Sequence, residues 1–172
     1  MLEELPVFID PKRLSQENGH LKGKFALAQM ERLHADLCEI KGNVYIDWSF
    51  AFDEHRHPTI QGRVQAQLSM YCQRCLQPME WAIDAEVALV ILAEGQEEED
   101  LPTGYEVLTL TKTPVSLITL IEDELILALP LVAKHAVCPS NEYQLPETFS
   151  KSEKHNFQPN PFQVLSELKK PH

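Results

Sequence analysis

Four residues in this sequence have side chains suited to holding a metal ion. Cys72 and Cys75 form a Cys-x-x-Cys pair, and His135 and Cys138 repeat that spacing about sixty residues later. Three thiolates and one imidazole are a common ligand set of closed, tetrahedral zinc sites. Because the two pairs lie so far apart, the tertiary fold would have to bring them together. The sequence therefore makes these four residues candidate ligands of a structural zinc ion.

Two other interpretations of the same cysteines remain open from the sequence. Cys72 falls on the buried parity of an alternating segment, where a thiol can simply be a core side chain. Redox chemistry is disfavoured, because a thioredoxin-type pair begins a helix in a βαβ unit, whereas this pair lies between two alternating segments. Cys38 belongs to neither pair and lies near an apolar stripe, which favours a buried thiol.

Catalytic patterns are not found in the sequence. It has no glycine-rich phosphate loop and no Gly-x-Ser-x-Gly elbow. His55 and His57 are two apart, but neither a thiol nor a fixed carboxylate accompanies them, so a solvated loop is the better interpretation. We therefore expect a protein that is not an enzyme and has no small-molecule substrate.

The Cys-x-x-Cys turn is positioned by the two longest alternating segments of the chain. Residues 60–72 and 79–91 place apolar side chains at every second position, which predicts strands with one buried and one exposed face. A short connection containing Pro78 predicts that they form a hairpin. The two cysteines should therefore be displayed at one end of that hairpin.

The remaining pattern predicts an α+β domain. Further strands are expected at residues 7–9, 21–25, 44–52 and 106–110. Amphipathic helices are expected at 26–38 and 115–129, the second with Thr113-Pro114 at its start and Glu122-Asp123-Glu124 near its solvent side. Together these elements suggest an antiparallel β-meander, open or barrel-like, packed by two helices within a domain at residues 1–140.

Residues 141–172 are predicted to form a flexible tail that ends in a short helix. Asn160 and Pro161 suit the start of this helix, which would present Phe162, Leu165 and Leu168 on one face. Such an apolar stripe can dock on the protein's own core or on a partner, and the sequence does not distinguish the two. No secretory signal or apolar membrane span is recognised, so a cytoplasmic location is expected.

The formal net charge of −11 bears on the kind of partner. No Lys or Arg occurs between Cys75 and Thr111, whereas that interval is rich in Asp and Glu. An anionic surface repels RNA and attracts basic proteins, so direct binding of RNA across the sheet is disfavoured. Local RNA contacts are expected only at Arg74, Lys169 and Lys170.

Three blocks of sequence together resemble the YceD family, whose members are known as large ribosomal RNA subunit accumulation proteins. The blocks are Cys72-Gln73-Arg74-Cys75-Leu76, residues 122–130 followed by His135 and Cys138, and Asn160-Pro161-Phe162 with the leucines after it. Their order and spacing agree with the family over nearly the whole chain. Many relatives have cysteine where this chain has His135, and a proline where it has Ala133.

The resemblance implies a non-enzymatic factor that supports the synthesis, processing or accumulation of large-subunit (23S) ribosomal RNA. Its partners would be the precursor of the large ribosomal subunit and the basic ribosomal proteins on it, with local contact to ribosomal RNA. The alternative is a zinc-binding or thiol-based regulatory protein that uses Cys72, Cys75, His135 and Cys138.

Overall fold

The computed structural model describes residues 5–95, 101 and 103–139. In these residues the α-helices are α1 (Pro11–Gln16) and α2 (Leu117–Leu127). The strands are β1 (Phe8–Ile9), β2 (His20–Ala26), β3 (Asn43–Phe52), β4 (Pro58–Tyr71), β5 (Pro78–Ala93), β6 (Glu106–Leu110) and β7 (Val115–Ser116). None of the described helices is long and apolar enough to cross a membrane.

The five longer strands form one sheet in the order β2-β3-β4-β5-β6. Neighbours from β2 to β5 are antiparallel, which confirms the predicted hairpin and the α+β class. β6 instead runs parallel to β5, so the predicted meander does not extend to the last strand. Within the described residues β2 and β6 are free edges, and the sheet does not close into a barrel.

Alternation along the central strands gives the sheet one face that packs on the core. Val44, Ile46, Trp48 and Phe50 of β3 are buried, and the residues between them point mostly to solvent. Leu117, Leu120, Ile121 and Leu125 of α2 are buried in the same core. Placing one face of a sheet against a helix is the usual solution for an α+β domain.

The helix predicted at residues 26–38 is wrong. The structure has two 3₁₀ segments there, Leu27–Gln29 and Glu31–Asp36, separated by Met30. Leu27, Met30 and Leu33 recur every third residue and are all fully buried. That spacing matches the three residues per turn of a 3₁₀ helix. The apolar stripe is therefore present, but it repeats every three residues and not with the period of an α-helix.

The helix predicted at residues 115–129 is present but shorter. Val115–Ser116 pair with β1 as β7, and α2 begins only at Leu117. Its N-cap is Ser116, whose hydroxyl accepts a hydrogen bond from the Thr119 backbone N–H, so the cap predicted at Thr113 is wrong. Pro11 begins α1, with Asp10 as N-cap, where the sequence predicted only the end of a strand.

Glu122 is buried on the core side of α2, contrary to the predicted solvent position of the acidic triplet. Its Oε1 accepts hydrogen bonds from the backbone N–H groups of Arg32, at 2.6 Å, and Leu33, at 3.3 Å. The Arg32 N–H is an early donor of the second 3₁₀ segment without an acceptor inside it, whereas the Leu33 N–H also donates to the Met30 carbonyl at 3.2 Å. Glu122 therefore joins α2 to the segment that precedes β3.

We expect Glu122→Ala to lower the free energy of unfolding by about 1–2 kcal/mol, because it leaves the Arg32 backbone N–H without its acceptor and the Leu33 N–H with the Met30 carbonyl alone. Glu122→Gln keeps a side-chain oxygen and should lose less. The neighbouring Asp123→Ala removes only an exposed ion pair with Arg32 and serves as the control. Urea denaturation of the three variants checks this order, and equal losses for Glu122→Ala and Asp123→Ala would contradict it.

Candidate metal centre

The turn between β4 and β5 brings Cys72 and Cys75 to the same side of the backbone. The Cys72 N–H donates to the Gln77 carbonyl at 3.0 Å, and the Leu76 N–H donates to the Cys72 carbonyl at 2.8 Å. Leu76 closes this turn with a positive φ of 60°, an uncommon conformation for a residue other than glycine. The two longest strands thus hold a tight turn that offers both thiols to one point.

The loop after α2 supplies the other two side chains. It is fixed to the turn by the Gln73 N–H, which donates to the Ala133 carbonyl at 2.8 Å. Arg74 adds further hydrogen bonds, donating to the His135 carbonyl at 2.9 Å and through its Nε to the Cys138 Sγ at 2.9 Å. The two half-sites, distant in sequence, are therefore joined by backbone and guanidinium contacts.

The four candidate ligand atoms lie within 4.8 Å of one another. The Sγ atoms of Cys72 and Cys138 are 3.9 Å apart, and Cys75 Sγ is 3.4 Å from His135 Nδ1. With zinc–sulfur and zinc–nitrogen bonds of ordinary length, the edges of a tetrahedral site come to about 3.8 Å and 3.5 Å. Two of the six distances between ligand atoms therefore match such a site, and the others lie within 4.8 Å.

The surroundings of the cluster favour negative charge on one thiol. Burial raises the pKa of Cys72, but hydrogen bonds from the backbone N–H groups of His135, Cys75 and Arg74 outweigh it and bring that pKa to about 5. Burial raises the pKa of Cys75, and the neighbouring thiols Cys138 and Cys72 raise it further. Backbone donors aimed at sulfur are what a thiolate ligand needs in its outer shell.

Cys72 and Cys75 are buried, whereas His135 and Cys138 are half-buried. All four cysteines of the chain carry free thiols. Cys38 lies away from the cluster, with its Sγ 2.9 Å from the Ser69 Oγ. A reactive or sensing thiol has to be accessible, so the burial of Cys72 and Cys75 favours a structural role over thiol chemistry.

The other residues singled out by sequence have different surroundings. Arg74 is exposed, and two of its nitrogens already donate within the cluster, so its contact with RNA stays a prediction. His57 binds the Asp53 carboxylate at 3.0 Å through Nδ1, a partner that the sequence did not suggest. Outside the described residues lie the predicted contacts Phe162, Leu165, Leu168, Lys169 and Lys170.

Sequence reasoning missed the part that Arg74 plays in assembling the cluster. The sequence does contain an indication of this role, because an arginine between two cysteines carries hydrogen-bond donors that can reach a thiolate from the other half-site. The Gln73–Ala133 contact had no signal, because it joins backbone groups of two loops whose conformations the side chains do not specify.

These features define an α+β protein in which a hairpin of the open five-stranded sheet and the loop after α2 together form a Cys3His cluster. Comparison with known proteins identifies the family of this chain. The family described as large ribosomal RNA subunit accumulation protein YceD matches residues 60–169. A protein of Haemophilus influenzae named large ribosomal RNA subunit accumulation protein YceD is 32% identical over 174 residues, covering 96% of this chain and 97% of its own. The chain belongs to the YceD family. No solved structure matches it.

Proposed function

We propose that this protein is a non-enzymatic cytoplasmic factor that supports the accumulation of large-subunit ribosomal RNA during ribosome assembly. Membership of the YceD family over nearly the whole chain carries the proposal. Cys72, Cys75, His135 and Cys138 come together as a metal-type cluster, and a closed metal site suits a binding role.

The cluster of Cys72, Cys75, His135 and Cys138 is proposed to hold a structural zinc ion. Four ligands leave no open coordination position, and such closed sites support folds rather than reactions. The metal would strengthen the connection of the β4–β5 turn to the loop after α2, which the Gln73 and Arg74 hydrogen bonds already join. The shape of this end of the protein would then depend on the metal.

The partners are proposed to be basic ribosomal proteins on the immature large subunit. A net charge of −11 favours association with cationic surfaces. Exposed apolar side chains accompany the cluster, namely Leu76 at 58%, Val132 at 60% and Val137 at 85% exposure. Residues 141–172 would contribute a tail whose Phe162, Leu165 and Leu168 anchor it to a partner, with Lys169 and Lys170 beside RNA.

Sedimentation of cell extract on a sucrose gradient tests this proposal. The protein should migrate with large-subunit precursors and should shift to the free fractions as salt rises, because charge contacts are screened. Brief treatment with nuclease should leave basic ribosomal proteins attached to it in a pull-down. A protein confined to the free fractions at low salt would contradict the proposal.

A further inference from the structure

One cavity of the described residues differs in charge from the rest of the protein. It has a volume of about 450 Å³ and lies where the N-terminal end of α1, the β3–β4 turn and the ends of β5 and β6 meet. Three cationic side chains line it, Lys12, Arg56 and Lys112, and its lining contains no Asp or Glu. In a chain with 26 acidic and 15 basic residues, this is a local reversal of charge.

The three cations are free to meet an external ligand. Among residues 5–95, 101 and 103–139, no carboxylate forms an ion pair with Lys12, Arg56 or Lys112, whereas Arg13, Lys22, Arg32, Lys41 and Arg63 all have one. The three come from separate parts of the sequence and are brought together only by the fold. Like charges held side by side repel one another, so a bound anion would relieve an unfavourable arrangement.

His57 gives the cavity an oriented polar group. The Asp53 carboxylate accepts a hydrogen bond from the His57 backbone N–H at 2.6 Å and binds the ring Nδ1 at 3.0 Å. Both side chains are largely buried, with 14% of His57 and 8% of Asp53 exposed. With Nδ1 engaged, Nε2 is the nitrogen left for a ligand.

The walls between these polar groups are apolar. Pro11, Pro58, Ile91 and Leu110 contribute to them, and Thr111 and Thr113 also line the cavity. The volume lies within the roughly 300–1,000 Å³ of small-ligand sites, which is room for a single nucleotide but not for a duplex. A ligand that fits carries negative charge for the cations and an apolar part for these walls.

We propose that this cavity binds one phosphate-bearing nucleotide of single-stranded RNA, with Lys12, Arg56 and Lys112 around the phosphate. A guanidinium and an imidazole are planar groups on which unpaired bases stack, and Arg56 and His57 supply one of each. The choice of RNA over another anion rests on the proposed function. The cavity thus gives an anionic protein a local RNA contact in addition to those predicted at Arg74, Lys169 and Lys170.

Fluorescence anisotropy with a short, unstructured, labelled oligoribonucleotide tests the proposal on the purified full-length protein. The wild type should bind at low salt, with log K falling against log salt at a slope of about −0.7, as expected for one phosphate contact on a single strand. The triple variant K12Q/R56Q/K112Q should bind about tenfold more weakly or worse, and its slope should flatten. The three side chains are exposed, so a thermal melt should show that the variant still folds.

The matched control is K22Q/K24Q/K41Q, which removes the same charge from exposed lysines elsewhere. It should stay within about twofold of the wild type; an equal loss in both triples would mean a general charge effect and would overturn the proposal. A free nucleoside monophosphate should compete for the labelled RNA, whereas better competition by an acidic peptide would overturn the choice of ligand. Absence of binding by the wild type would also overturn it. Because no ribosomal particle is present, these results are independent of the sedimentation test of the proposed function.

Discussion

Cys75→Ser is expected to release zinc from the purified protein and to lower the melting temperature by roughly 10 °C. Cys75 is buried, and its Sγ lies 3.4 Å from His135 Nδ1 in the centre of the cluster. Serine is a poor zinc ligand at neutral pH, so three ligands would remain in a site built for four. Elemental analysis should give close to one zinc per wild-type chain and little in the variant.

Cys38→Ser is the matched control for this experiment. Cys38 is the cysteine outside the cluster, so its removal should leave the zinc content unchanged. A strong chelator added to the wild type should reproduce the thermal shift of Cys75→Ser but should not shift that variant further. Wild-type protein that contains no metal after expression with added zinc, and melts alike with and without chelator, would contradict a structural zinc.

Gly62→Ala is expected to lower the free energy of unfolding by about 3 kcal/mol or more. Gly62 lies in the middle of β4, paired with Trp48 on β3 and Val87 on β5, and has a φ of 155°. A Cβ at this position would lie 1.9 Å from the Asp47 carbonyl oxygen and 2.9 Å from the Trp48 Cα. Both are backbone atoms, so the clash can be relieved only if β3 and β4 move apart.

Gly104→Ala separates this clash from backbone strain. Gly104 also has a positive φ, of 87°, but nothing lies within 4 Å of a Cβ placed there. It should therefore cost about 1–2 kcal/mol, the usual penalty of a left-handed conformation. Chemical denaturation of both variants measures the difference, and similar losses would show that β3 and β4 yield more easily than their pairing suggests.

The sheet could be predicted from the sequence because the alternation of apolar and polar residues is a local pattern. Alternation in residues 60–72 and 79–91 specifies which face is buried, and that parity survives in the structure from Ile60 to Met70. The neighbour of β5 was not predictable, because a parallel partner after a loop of about twelve residues depends on packing across the whole sheet. The 3₁₀ segments were misread because Leu27, Met30 and Leu33 also satisfy part of a helical pattern.

The cluster was predictable as a set of residue types and became specific only through the fold. Two half-sites sixty residues apart carry no information on their separation in space; Gln73, Arg74 and Ala133 provide the contacts that join them. The cationic cavity had no sequence signal at all. Lys12, Arg56 and Lys112 are isolated residues in a chain whose overall charge points the other way.

Two regions of the domain have surfaces that suit different partners. The metal-type cluster fixes a turn and a loop surrounded by exposed apolar side chains, which suits contact with protein. The cavity gathers unpaired cations, which suits contact with RNA. An anionic body would touch ribosomal RNA through this cationic cavity, while its acidic surface faces cationic ribosomal proteins.

The most direct test of the central claim is the ratio of mature large-subunit to small-subunit ribosomal RNA in cells that lack this protein. Electrophoresis of total RNA should show that the ratio falls on deletion and recovers when the wild-type chain is supplied. Cys75→Ser, produced at an equal level, should fail to restore it, whereas Cys38→Ser should succeed. An unchanged ratio after deletion, under growth that demands rapid ribosome production, would contradict the account.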